Sequence, residues 1–242
     1  MRVALISDIH GNEVALRAVL DDIARRAVDR VVCLGDVATL GPRPGAVIRM
    51  LRDLGCPCIE GNHDAFLVDP GLIGTYTEVP VVVDAVDWCR SRLTRDDLAF
   101  VRSFLPRLEL PLDGASTLLL FHGTPRSHME DLLATTPAEE VDDMLKGYRA
   151  TVMAGGHTHI QMLRQHRGVL VLNPGSVGLP FREFVGGAAP TLLDHAEYAT
   201  VEAAGGTVAV SLHRVPVDRR SLRDAVAASD NPLRTLLLQQ YS

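Results

Sequence analysis

An α/β fold is predicted by three features of the 242-residue sequence. Short β-branched runs alternate with amphipathic stretches through the first half, and two β-rich runs joined by Gly205-Gly206 read as a late antiparallel hairpin. Five of the nine histidines follow a predicted strand directly, which is where open α/β sheets gather functional loops.

Val3-Ala4-Leu5-Ile6 and Arg30-Val31-Val32-Cys33-Leu34 read as buried strands. Between them, residues 14–27 place Ala15, Leu16, Val19, Leu20, Ile23 and Ala27 on one helical face, which predicts a parallel strand-helix-strand unit. A second helix is expected after Pro44, with Val47, Met50, Leu51 and Leu54 as its apolar stripe, and Pro57-Cys58-Ile59 as a third strand. Residues 66–80 have no period. Thr94-x-x-Asp97 and Thr136-Pro137-x-Glu139 have the form of helix starts, and Ala85, Val86, Trp88, Cys89 and Leu93 recur at helical spacing, which assigns Trp88 to packing. Strands follow at 116–121, 151–154 and 168–172, the hairpin at 198–203 and 208–213, and helical patterns at 221–228 and 232–240. No repeat or Gly/Ser-rich linker interrupts the chain, so a single domain over 1–242 is the expectation.

Composition excludes several classes. Hydrophobic residues make up 47% and charged residues 22%, ordinary values for a folded globular chain. With 24 Lys+Arg against 30 Asp+Glu the formal charge is −6, which argues against extended nucleic-acid binding. No apolar run approaches the ~20 residues of a membrane helix. Met1 to Ile6 is too short for a signal-peptide core before Ser7-Asp8, so a cytoplasmic location is expected. Cys33, Cys56, Cys58 and Cys89 lack metal-knuckle spacing, and Cys56-Pro57-Cys58 is too close for an easy disulfide, so free thiols are expected.

The chemistry sits in Asp8-Ile9-His10, Gly35-Asp36, Gly61-Asn62-His63-Asp64, His122-Gly123 and Gly156-His157-Thr158-His159. Carboxylates, an amide oxygen and imidazoles suit borderline divalent ions such as Mn²⁺, Fe²⁺, Co²⁺, Ni²⁺ or Zn²⁺, and a dinuclear site is the natural arrangement. Residues two apart in Asp8-x-His10 and His157-x-His159 point the same way on an extended chain and can grip neighbouring coordination positions.

These five blocks, in this order, resemble the calcineurin-like metallophosphoesterase superfamily, and Asn173-Pro174-Gly175-Ser176-Val177-Gly178 is similar to its small bacterial phosphodiesterase (YfcE-like) branch. The resemblance implies a sandwich of two packed mixed β-sheets flanked by helices. It implies two divalent ions, Mn²⁺ foremost, with Asp8, His10 and His159 holding one, Asn62, His122 and His157 the other, and Asp36 bridging both. It also implies hydrolysis of a small phosphodiester or nucleotide by a metal-bridging hydroxide, with no covalent phosphoenzyme. With Asp8, Asp36 and that hydroxide ionised, the loaded site carries a formal charge of about +1, which attracts an anionic ester. His63 would stabilise the transition state or protonate the leaving oxygen, with Asp64 orienting its ring.

Other readings are set against this one. Phosphoprotein phosphatases of the superfamily continue Gly-Asp with Asp-Arg-Gly, whereas this chain reads Gly35-Asp36-Val37-Ala38, which favours small diesters; a phosphomonoesterase stays open. A noncatalytic interaction scaffold of the same fold is the alternative from another class, and the intact donor set argues against it. His63 has a second reading as a residue that only fixes Asn62. Asn173 sits in a strong turn sequence and is left outside the metal set. Arg43, Arg126 and Arg182 lie after motif blocks and have the chemistry to clamp phosphate, while His128, His166, His195 and His213 lack motif context and receive no function. No sequence signal specifies a homo-oligomer.

Overall fold

The computed structural model describes residues 1–185 and 189–242. β1 (Arg2–Ile6), α1 (Glu13–Ala24) and β2 (Arg30–Cys33) form the expected parallel strand-helix-strand unit, with Val3 of β1 opposite Arg30 of β2. α2 (Pro44–Leu54), α3 (Asn62–Val68), a 3-10 turn (Pro70–Thr75), α4 (Pro80–Ser91) and α5 (Arg95–Val101) follow. The second half contributes β3 (Leu108–Pro111), β4 (Thr117–Leu120), α6 (Ala138–Met144), β5 (Val152–Ala154), β6 (Met162–His166), β7 (Val169–Asn173), β8 (His195–Ala204), β9 (Thr207–Pro216), α7 (Arg219–Ala227) and α8 (Arg234–Gln240).

The strands form two mixed sheets, in the orders β2-β1-β8-β9 and β3-β4-β5-β7-β6. Period-two alternation explains how they stack. Val3 and Leu5 of β1 meet Leu118 and Leu120 of β4 in a core between the sheets, joined by Val32, Val152, Leu172 and Val201. The intervening Ala4 and Ile6 face the other way, into a core with Leu16 and Val19 of α1 and Val47 and Leu51 of α2. Leu119 and Phe121 likewise turn outward onto Val141 and Leu145 beside α6. Helices therefore cover both outer faces, and strands buried on two sides carry the near-continuous apolar sequence that marks them. No helix among the described residues is long and apolar enough to cross a membrane.

Several expected elements shift, each for a local reason. α1 stops at Ala24 because Arg25 and Arg26 donate to the Asp22 and Ile23 carbonyls in a tightened last turn, and Ala27 takes φ +49°. The buried stripe of α2 is Val47, Ile48 and Leu51, while Met50 is half-buried and Leu54 exposed. Residues 57–59 make only isolated bridges, Cys33 to Cys58 and Ile59 to Leu105, since Pro57 has no N–H to donate. α3 starts at Asn62 itself; it is seven residues long with Asn62 to Leu67 all buried, so it carries no amphipathic period. Thr94 and Asp97 form the reciprocal cap expected of them, but Thr136 accepts from the Leu133 N–H and leaves Pro137 to start α6. β3 and β6, which periodicity does not predict, are the two edges of their sheet, where Pro111 and the polar Arg164, Gln165 and His166 are tolerated.

All four cysteines are free thiols. Trp88 lies half-buried on α4 and donates from Nε1 to Asp230 at 3.0 Å, a packing role away from the site. Tyr198 of β8, fully buried, reaches α1 and donates its hydroxyl to Asp22 at 2.7 Å. Hydrogen bonding from Arg26, Tyr198 and Arg25 holds the Asp22 carboxyl down at about 2. A depressed carboxyl stabilises the fold above the ordinary aspartate pKa and loses that contribution as pH falls toward 2. Urea unfolding of the wild type and Asp22→Asn should therefore differ at pH 6 by about 1 kcal/mol or less, given the exposure of the arginine partners, and converge near pH 2.

Candidate metal centre

The parallel strands of both sheets end at one edge. β1 runs into Asp8, β2 into Asp36, β4 into His122, β5 into His157, and β7 into Ser176. Backbone bonds continue the pairing past the strand ends: Asp8 N donates to Gly35 O at 3.0 Å, His10 N to Asp36 O at 3.0 Å, Gly178 N to Asp8 O at 3.0 Å, and Gly156 N to His122 O at 2.7 Å. The loops are thus fastened to one another.

Their backbones are bent to aim side chains. Asp8 (φ +53°), His10 (+46°), Asp36 (+56°), His157 (+69°) and His159 (+59°) occupy left-handed conformations, out of eight non-glycine residues that do so among those described. Such a conformation costs roughly 1–3 kcal/mol each and survives where surrounding contacts over-determine it. Two glycines make room: a Cβ at Gly61 would overlap the Asp36 carboxylate, and one at Gly156 would overlap the Ser7 hydroxyl and the Asp8 carboxylate.

The seven expected donors come together, nearly all of them buried. Asp8, His10 and His159 offer ligand atoms within 4.8 Å of one another, as do Asp36, His122 and His157. Asn62 joins the second group, its Oδ1 lying 3.1 Å from His122 Nε2 and 3.0 Å from His157 Nδ1. Asp36 Oδ2 sits between the groups, 3.4 Å from His122 Nε2 and 3.8 Å from His10 Nε2. His10 and His159 bring their Nε2 atoms to 3.1 Å.

Four of the donors, Asp8, Asp36, His122 and His159, are anchored through a second atom, while Asn62 Nδ2 is buried without a hydrogen-bond partner. His122 Nδ1 donates to the Leu34 carbonyl and His159 Nδ1 to the Leu179 carbonyl, both at 2.7 Å. A carbonyl only accepts, so in a neutral ring the proton is on Nδ1 and Nε2 presents a lone pair to the cluster. Asp36 Oδ1 accepts from the His63 N–H at 2.9 Å, and Asp8 Oδ2 from the His157 N–H at 3.1 Å. The remaining oxygen, Asp8 Oδ1, is buried with no hydrogen-bond partner, and faces His159 Nε2 at 3.4 Å and the Nε2 atoms of His10 and His122 at 4.0 Å. Converging oxygen and nitrogen donors around an orphaned buried carboxylate oxygen call for a cation, and this donor set fits two divalent ions.

Electrostatics within the cluster reflect that crowding. Burial lowers His10, His63 and His159, and His63 falls to about 4, which leaves its ring neutral near pH 7. His122 runs against its burial, because the Asp36 and Asp8 carboxylates raise it to about 10. Burial and the Asp36 charge push Asp64 up to about 7 against the pull of backbone N–H donors.

His63 lies at the rim of the cluster, 4% exposed, edge-on to His10 with ring centroids 5.2 Å apart. Asp64 does not orient it, contrary to expectation. The Asp64 carboxylate accepts from the N–H groups of Asp36 (2.7 Å), Val37 (3.1 Å) and Gly61 (3.0 Å), and His63 Nδ1 has no partner. As the third residue of α3, Asp64 turns back over its own helix start and clamps the Asp36 loop to it.

Other residues resolve simply. Asn173 donates to Gly156 O at 2.6 Å and Thr158 Oγ1 at 3.0 Å, fixing the turn that carries His157. Arg43 pairs with Glu13, Arg126 with Glu130 and Asp143, and Arg182 is exposed with its backbone tied to Thr191. His166, His195 and His213 bond to Asp142, Glu197 and Thr200, and His128 is half-buried on the loop after β4. Sequence reasoning missed two neighbours of the cluster. Asp131 brings Oδ1 to 3.3 Å from His157 Nε2, and Tyr76 places its ring 5.7 Å from that of His63 and 6.5 Å from that of His157. Both lie in loops away from the motif blocks, and nothing in their spacing marks them.

Comparison with known proteins agrees with this geometry. An uncharacterized protein of Methanocaldococcus jannaschii, MJ0912, is 29% identical over 211 residues, covering 81% of this chain and 84% of its own. The crystal structure of a metallophosphoesterase from Sphaerobacter thermophilus is 26% identical with a TM-score of 0.74, covering 99% of this chain and all of its own. A hypothetical protein of Pyrococcus horikoshii, PH1004, shares the fold with a TM-score of 0.82 at 19% identity, over 98% of this chain and 96% of its own. Residues 1–195 match the calcineurin-like phosphoesterase superfamily domain, and the chain belongs to that superfamily.

Proposed function

We propose that this protein is a dinuclear-metal phosphodiesterase acting on small phosphodiesters. The observation that carries the reading is the orphaned Asp8 Oδ1 facing the Nε2 atoms of His159, His10 and His122, with Asp36 Oδ2 reaching both donor groups. Asp8, His10 and His159 would hold one ion, Asn62, His122 and His157 the other, and Asp36 both, with Mn²⁺ the metal to test first. Two ions there supply Lewis acidity toward the phosphoryl oxygens and an activated water.

The chain's own residues supply the rest. His63 is neutral near pH 7 and presents its ring at the rim, where an imidazole N–H stabilises charge on the leaving oxygen. Asp64 is a positioning residue: it holds Asp36 from the backbone side and does not touch substrate. The Leu34 and Leu179 carbonyls fix the ring orientation of His122 and His159. Asp131, half-exposed beside His157, adds a negative charge at the rim, which penalises a dianionic monoester more than a monoanionic diester. The net charge of −6 gives a long polyanion little purchase.

Metal-stripped protein reconstituted with Mn²⁺ should cleave bis-p-nitrophenyl phosphate in preference to p-nitrophenyl phosphate. A strong monoester preference would shift the reading to a phosphatase, and silence on both with metals bound would favour a scaffold. His63→Ala should keep two metals yet lose turnover by about 100-fold or more, whereas Asp36→Asn should lose metal and activity together; equal metal loss in both would count against a chemical role for His63. Gly156→Ala, which intrudes on Asp8, should weaken metal affinity by about 10–100-fold while circular dichroism stays native. Metal loading at pH 7.5 should release protons, because the raised His122 must give one up; calorimetry in buffers of different ionisation enthalpy reads the number, and affinity should fall as pH falls.

A further inference from the structure

Of the large hydrophobic side chains the described surface exposes, Leu72, Tyr76, Val79 and Val81 fall within ten residues of one another, from the 3-10 turn through the connection after it to the start of α4. Scattered single exposures need no explanation, but a run of them bordering a polar centre marks a place where apolar matter is received. Tyr76 is the member that touches the centre. Its ring is 5.7 Å from His63 at an interplanar angle of 75° and 6.5 Å from His157 at 58°. From below it leans on Phe66, 5.7 Å away and 1% exposed, yet Tyr76 itself remains 46% exposed. One side of the phenol is therefore supported by buried rings, and the rest is open next to the residue assigned to the leaving oxygen.

We propose that Tyr76 is a specificity-determining residue that packs against a planar aromatic group, an aryl or nucleobase ring, borne by the leaving side of the phosphodiester. The inference rests on the phosphoester reading of the metal centre and narrows its substrate class. Its logic is spatial. Phosphate oxygens belong at the metal-facing donors, so the ester group beyond His63 must pass along the segment containing Tyr76. Two of the arginines that follow the motif blocks are occupied elsewhere, Arg43 with Glu13 and Arg126 with Glu130 and Asp143, and the charges that bear on Tyr76 are the carboxylates of Asp36, Asp131 and Asp8. Recognition there is by surface contact and not by ion pairing. A tyrosine ring with few rotatable bonds, propped by Phe66 and His63, offers a rigid face on which a flat ring gains more than a flexible chain.

The test uses two non-hydrolysable anions that share a head group and differ in the ring. The Mn²⁺-loaded full chain is titrated calorimetrically with phenylphosphonate and methylphosphonate, in the wild type, Tyr76→Phe and Tyr76→Ala. The expected result is a phenyl preference of about tenfold or more in the wild type and Tyr76→Phe, falling below about threefold in Tyr76→Ala. On bis-p-nitrophenyl phosphate, Tyr76→Ala should raise KM more than it lowers kcat. Binding of both anions with no phenyl preference, or a preference that survives Tyr76→Ala, overturns the assignment of Tyr76 alone. Failure of the metal-loaded protein to bind either anion or cleave either p-nitrophenyl ester overturns the phosphoester reading and this inference with it.

Discussion

Two buried carboxylates, Asp8 and Asp36, share a buried pocket with the Nε2 atoms of His10, His122 and His159. That constraint governs the structure around it. Charge and unpaired polar atoms are costly in the interior, and four of the donors limit that cost by giving one atom to the protein and leaving the other toward the cluster. The division is visible residue by residue. Asp8 and Asp36 each accept a backbone N–H on one oxygen and turn the other to the cluster, and His122 and His159 each spend Nδ1 on a carbonyl and save Nε2.

The two-sheet sandwich is what makes this arrangement reachable. A single parallel sheet offers a line of strand ends, whereas two stacked sheets offer facing lines. Here β1 and β2 supply Asp8, His10 and Asp36 from one side, and β4 and β5 supply His122, His157 and His159 from the other. The core of Val3, Leu5, Leu118, Leu120 and their neighbours sets the separation of the sheets, and so sets the spacing of donors at their common edge. Left-handed backbone at five of the candidate donors is the strain this convergence requires, and the bonds between neighbouring loops hold it.

The rim follows a different logic. His63, Tyr76 and Phe66 form a run of packed rings that leads from the metal-facing donors to the apolar segment at residues 72–81. Asp131 borders the same rim from the loop after β4. The polar donors lie inside and the aromatic and acidic side chains border them, so the two kinds of chemistry are segregated within one site.

The sequence by itself determined the strands buried on both faces, the late hairpin and the seven candidate donors that the fold brings together. Alternation of apolar residues is a direct consequence of strand geometry, and motif residues are adjacent in sequence because they share a loop. It did not determine β3 or β6, whose edge positions tolerate proline and polar residues, nor α3, whose seven residues are too few and too evenly buried to show a period. Asp64 shows the limit within a motif. Adjacency to His63 suggested a partner for that ring, yet consecutive helix residues point about 100° apart, and the Asp64 carboxylate goes back to the amides of Asp36, Val37 and Gly61. Asp131 and Tyr76 belong wholly to the tertiary structure: they reach His157 from 26 and 81 positions away, respectively, through loops whose paths depend on packing. Contacts of that kind are fixed by how elements stack and not by local spacing, so only the folded chain brings them to the site.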